Sequence, residues 1–205
     1  MDTVSFTEMK HGTHADYALL HDMEKPFMEG TARRLISEMA RQGDETIGGY
    51  KVTRLGHALQ SATTAWRDGV DIDWIVAALL HDIGDGLSPQ NHDRMAAEIL
   101  RPFVREEVTW VIEHHGAFQM IYYAQHYEGW NQFEREKYVD SPYYQSCVDF
   151  CEYWDQGCFD PDYDVKPLAF FRPMVEEVFA RKAYAADNIQ TSVVAGLGRK
   201  VASEA

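Results

Sequence analysis

The run Ile75-Val76-Ala77-Ala78-Leu79-Leu80 constrains this chain more than any other stretch. Asp71 stands where a helix N-cap belongs, and the residues from Ile72 to Asp82 read as one helix. A helix that is apolar on every side cannot lie on a surface and needs neighbours all round it. The rest of the chain supplies those neighbours as further helices. They read as Asp16 to Lys25, Pro26 to about Gln42, Lys51 to Asp68, Ser88 to Leu100, Phe103 to His115, Pro142 to Gln156 and Pro167 to Ala183. Pro26 suits a first helical turn and Gly69 a helix stop. The stretch Gln119 to Lys137 is aromatic and only partly helical by pattern. Strand-like alternation is scarce. The expected fold is all-α, a multi-helix bundle. A length of 205 residues suits one domain. That domain is expected over 1–185, with an N-terminal helical extension and a flexible tail over 186–205.

Charge narrows the partners. The chain carries 33 acidic against 19 basic residues, a formal net charge of −14. That disfavours a nucleic-acid surface, which draws affinity from basic groups, and an anionic membrane surface. A phosphate-bearing ligand would need a local cation, and a metal ion is the obvious one. No run approaches the roughly 18 apolar residues of a membrane span. Met1 to Phe6 has neither the basic nor the apolar part of a signal peptide. Cys147, Cys151 and Cys158 are odd in number and form no CxxC pair, so neither a disulfide framework nor a zinc knuckle is expected. These features suit a cytoplasmic protein acting on a small molecule, with the oligomeric state left open.

The chemistry concentrates around His81 and Asp82. A carboxylate at the end of so apolar a helix is costly unless it is paired or bound to a cation. Neighbouring residues on a helix point about 100° apart, so the two can serve adjacent ions or bridge them. The plainer alternative is a C-terminal histidine favoured by the helix dipole, with an aspartate capping the next turn. His57 one helix upstream, His92, the Glu113-His114-His115-Gly116 segment and Asp155 complete the pattern.

His57, the His81-Asp82-Ile83-Gly84 segment and Asp155 resemble the HD superfamily signature. His92 and His115 extend it to the members that hold two metal ions, with Asp82 bridging and His114 the competing choice for His115. Six nitrogen and oxygen ligands without thiolate suit two first-row ions such as iron or manganese, and less specifically zinc. Over Thr46 to Gln156 the chain is similar to the HD-domain mixed-valent diiron oxygenases, and most to the phosphonate-cleaving members. The resemblance implies an Fe(II)/Fe(III) pair held by His57, His81, Asp82, His92, His115 and Asp155, with dioxygen as co-substrate. It implies oxidative C–P cleavage of a 1-hydroxy-2-ammonioethylphosphonate. It also implies a lid over the oxygen site in Asp44 to Tyr50, with Ile47 or Tyr50 in the lid position. A metal-dependent HD phosphohydrolase, or a diiron oxygenase of another hydroxylated substrate, is the alternative.

The family's substrate contacts are not carried over. Asp85, Gln119 and Glu152 stand where the primary-amine member has a histidine, a lysine and an arginine, and Tyr50 replaces an acidic lid residue. Asp85 and Glu152, with the aromatic residues Tyr122, Tyr123, Tyr127, Trp130, Tyr143, Tyr144, Tyr153 and Trp154, lean toward a quaternary ammonium and hence glycine betaine as product. Asn91, Gln119, Ser141 and Tyr144 are the candidate donors to phosphonate oxygens.

Overall fold

A computed structural model describes residues 2–43, 49–190 and 197. Eight α-helices follow one another: α1 His14–Glu29, α2 Thr31–Arg41, α3 Arg54–Arg67, α4 Ile72–Leu80, α5 His92–Leu100, α6 Glu106–Tyr123, α7 Tyr144–Phe150 and α8 Leu168–Phe179. There is no strand among the described residues, and the fold is the all-α bundle that the apolar run demands. Asp71 caps α4 by accepting from the N–H groups of Asp73 and Trp74. Every residue from Asp73 to Leu80 is buried. Around α4 stand α3, α6 and α8, while α5 packs on α6 and α2 on α8. The small side chains of Ala58, Ala62, Ala77 and Ala78 are fully buried between these helices, beside Trp74 and Trp154. Each fully buried Leu or Ile adds roughly 1.5–3 kcal/mol, so α4 is the anchor of the core and its end is a rigid place to hold ligands.

Several helix boundaries differ from expectation, three of them for a clear physical reason. Pro26 lies inside the last turn of α1, and the chain turns at Gly30. A proline there forfeits few hydrogen bonds, so it does not by itself start a new helix. α6 runs on through Gly116 to Tyr123. Glycine in mid-helix costs up to about 1 kcal/mol, but a Cβ there would stand 3.2 Å from Asp93 Oδ2, so its absence lets α5 come close. The helix predicted over Pro142 to Gln156 is α7 followed by a π-helical turn, Cys151–Asp155, in which Gln156 N donates to Cys151 O at 2.9 Å. All three cysteines are free and buried. Leu197 is buried against the core, whereas most of the predicted tail lies outside the described residues, as does Ile47. No helix among the described residues is long and apolar enough to cross a membrane.

Candidate metal centre

Four elements converge at the end of α4. His57 comes from the first turn of α3, and His81 and Asp82 from the turn that ends α4. His92 opens α5, His115 lies in mid-α6, and Asp155 closes the π-helical turn. The wider π turn re-aims its last side chain, a common device at functional sites. Gly84 admits the approach of α5: a Cβ there would lie 2.7 Å from the His92 carbonyl oxygen and 2.8 Å from its Cα.

The imidazoles share one orientation. His57 Nδ1 donates to Cys158 O at 3.0 Å, and His81 Nδ1 to Ala78 O at 2.8 Å. His92 Nδ1 donates to Pro89 O at 3.1 Å, and His115 Nδ1 to Ile112 O at 2.7 Å. A carbonyl only accepts, so each Nδ1 carries a proton, and each Nε2, when unprotonated, presents its lone pair inward. Those Nε2 atoms sort around the two oxygens of Asp82. Oδ1 lies 3.3 Å from both His92 and His115. Oδ2 lies 3.4 Å from His81 and 3.6 Å from His57. Asp155 Oδ1 completes the second group, 3.2 Å from His57 and 3.6 Å from His81.

Such a set of acceptors lacks a positive partner. His57 and His81 bring their Nε2 atoms to 3.1 Å. Asp155 Oδ2 is buried with no hydrogen-bond donor. Burial alone would raise the carboxyls of Asp82 and Asp155, yet the imidazoles of His81, His115 and His57 hold both well below the usual carboxylate range. The two carboxylates likewise raise His81 and His115 above an ordinary histidine, against burial. The site therefore favours added positive charge between its ligands, and neutral imidazole with carboxylate suits a first-row metal ion. Burial keeps the thiols protonated, Cys158 being pushed up to about 12. His114 faces elsewhere. It stacks on Trp110 with centroids 4.2 Å apart and packs edge-on against Tyr138.

A cavity of 610 Å³ opens over this cluster, within the size range of small-molecule sites. Five of the six predicted ligands line it, and His81 lies fully buried behind them. Of the predicted substrate contacts, Asp85 and Gln119 line it as well. Four others do not. Asn91 accepts from the Ser88 hydroxyl at the surface, and Ser141 Oγ accepts from Tyr143 N. Tyr144 packs against Phe118, and exposed Glu152 accepts from the Tyr122 hydroxyl at 2.6 Å. Glu152 leaves the face of Asp155 because the π turn breaks the three-residue spacing.

The aromatic residues divide in the same way. Tyr122, Tyr123, Tyr127 and Trp130 line the cavity, whereas Trp154 is core and Tyr143 is buried against Trp110. Tyr127 and Trp130 stack at 5.0 Å, and Tyr123 stands 6.1 Å from each. Tyr50 lines the mouth and stacks on Phe159, which stacks on His57 at 4.5 Å. Burial raises the Tyr123 phenol, and nearby Tyr50 adds to that shift. Sequence reasoning missed Arg54, Gln156 and Phe159 in this wall. The two outside α-helix have no periodicity to betray them, and Arg54 reads as an ordinary solvated charge.

Residues 54–153 match the HD domain family, and the chain carries that domain. A narrower likeness joins it. Over 88 residues the chain is 36% identical to the [1-hydroxy-2-(trimethylamino)ethyl]phosphonate dioxygenase (glycine-betaine-forming) of Leisingera caerulea. That match covers 38% of this chain and 45% of the relative, so the chain spans less than half the relative's length.

Proposed function

We propose that the protein is a dioxygen-dependent two-metal enzyme that cleaves 1-hydroxy-2-(trimethylammonio)ethylphosphonate to glycine betaine and phosphate. The division of the ligands between the two oxygens of Asp82 carries this reading. One ion would need only His57, His81, Asp82 and Asp155. His92 and His115 gather instead around the other oxygen, so the six residues together would hold two ions. Two iron ions held by these six residues would supply Lewis-acid and redox chemistry towards dioxygen.

The chain's own groups do the rest. Backbone carbonyls lock each imidazole in one tautomer and orientation. A trimethylammonium group has no N–H to donate, so it is recognised by the negative faces of rings, as Tyr123, Tyr127 and Trp130 offer. Phe159 and Tyr50 cover His57 and keep water from that end. In the overall reaction the hydroxyl-bearing carbon loses its C–H and C–P bonds and becomes a carboxylate. Phosphorus leaves as phosphate, and one dioxygen supplies both added oxygen atoms. The partial likeness to the glycine-betaine-forming dioxygenase supports the same substrate. The test is product analysis on the iron-loaded protein. Glycine betaine formed only under oxygen supports the reading. Oxygen-independent hydrolysis of phosphomonoesters would replace it with an HD phosphohydrolase.

A further inference from the structure

We infer that Arg54 is the anchor for the anionic head of the substrate, held in place by Asp85 and assisted by the Gln119 amide. This rests on the reading that the cavity takes a phosphonate. Arg54 is the one lysine or arginine among the described residues that line the cavity. An anion entering a chain of net charge −14 is drawn by such a cation in addition to the metal ions that the six ligands would hold.

The placement is specific. Arg54 lies one helical turn before His57, Asp85 one turn beyond Asp82, and Gln119 one turn beyond His115. Three ligand-bearing segments thus each add a polar side chain to the cavity wall. Arg54 is ion-paired with Asp85, and both side chains are only 14% exposed. The other oxygen of Asp85 lies 3.3 Å from His92 Nδ1. The guanidinium is therefore tethered at the His92 end of the cluster. Gln119 Nε2 is buried without an acceptor, a donor that a ligand oxygen would satisfy. A guanidinium has five N–H donors in a planar fork, so one side chain can meet a carboxylate and a phosphonate together.

The role of Asp85 changes as a result. Its charge is committed to Arg54, so it positions the anion's partner instead of meeting the ammonium. The cation is left to the rings around Trp130, and the cavity becomes selective for a molecule with a phosphonate at one end and a quaternary ammonium at the other.

Calorimetric titration of the manganese-loaded protein without oxygen tests this, with three unreactive probes. These are 2-(trimethylammonio)ethylphosphonate, ethylphosphonate and choline. Arg54→Gln should weaken both phosphonates about 10- to 100-fold, the loss of charge-assisted hydrogen bonds, and leave choline within about twofold. Arg54→Lys, which keeps the charge but not the fork, should fall between. Metal content should match the unaltered protein throughout. Unchanged ethylphosphonate binding in Arg54→Gln, or an equal loss of choline, would overturn the assignment. If Arg54→Gln does not fold, wild-type affinity for ethylphosphonate in Arg54→Lys would overturn it as well. Failure of the proposed function looks different. The unaltered protein would then bind ethylphosphonate through Arg54 but gain nothing from the trimethylammonium group.

Discussion

Replacing His115 and His114 in turn isolates one ligand by a single step along α6. His115 Nε2 faces Asp82 Oδ1, whereas the ring of His114 lies flat on Trp110. His115→Gln keeps a polar side chain of similar bulk but removes one Nε2 from the group formed with His92 and Asp82. The group around His57, His81 and Asp155 keeps its own contacts, so one ion should be lost and one retained. An ion present at about one hundred times its Kd stabilises the folded state by about 2.7 kcal/mol. For a chain of this size each kcal/mol moves Tm by about 2–4 °C, so the loss corresponds to about 5–11 °C. The assay is elemental analysis of metal per chain together with thermal melts in excess Mn(II). His115→Gln should hold about half the metal of the unaltered protein and melt lower by that margin, while His114→Gln should keep its full complement. Two ions retained in His115→Gln, or one lost from His114→Gln, would refute the ligand assignment.

Gly84→Ala puts a methyl group against the backbone of His92, and overpacking of this kind costs about 1–3 kcal/mol. It should lower Tm and selectively weaken the ion held by His92 and His115, as metal titration of the purified variant would show. Acidification should weaken metal binding. His81 and His115 are raised above an ordinary histidine, so protons occupy the ligands as pH falls through those raised values. The metal-free protein has the opposite sign: its contribution from these two histidines is full below an unfolded pKa of about 6.5 and fades as pH rises through the folded values. Melts of apo and loaded protein between pH 6 and pH 8 should therefore diverge, and parallel curves would contradict this. Trp130→Ala and Tyr127→Ala should each raise KM for the trimethylammonium substrate about two- to fivefold, as exposed cation–π contacts worth about 0.5–1 kcal/mol imply. Equal effects on ethylphosphonate binding would assign those rings to general packing.

How much of this was legible depended on local regularity. An apolar helix ending in His81-Asp82 can be read from order alone, because burial on all sides and a charge at the end are both sequence properties. The six-residue set came from the resemblance to two-metal HD proteins, and the structure brings these side chains together. Substrate contacts were less legible, because spacing along a helix assumes an unbroken α turn. Glu152 sits three residues before Asp155, yet the π turn between them sends it to the surface beside Tyr122. Asn91 and Ser141 are absorbed by local turns, a common fate of short polar side chains. No sequence signal marks Arg54, since only the fold brings it to Asp85. Phe159 lies in irregular chain between the π-helical turn and α8, where no period marks which side chains point inward.

Oxygen-dependent C–P cleavage is tested most directly by following oxygen consumption and phosphate release in one vessel, with iron-loaded protein and 1-hydroxy-2-(trimethylammonio)ethylphosphonate. One dioxygen should be consumed for each phosphate released, with both ceasing in Asp82→Ala. Phosphate release without oxygen consumption would contradict it.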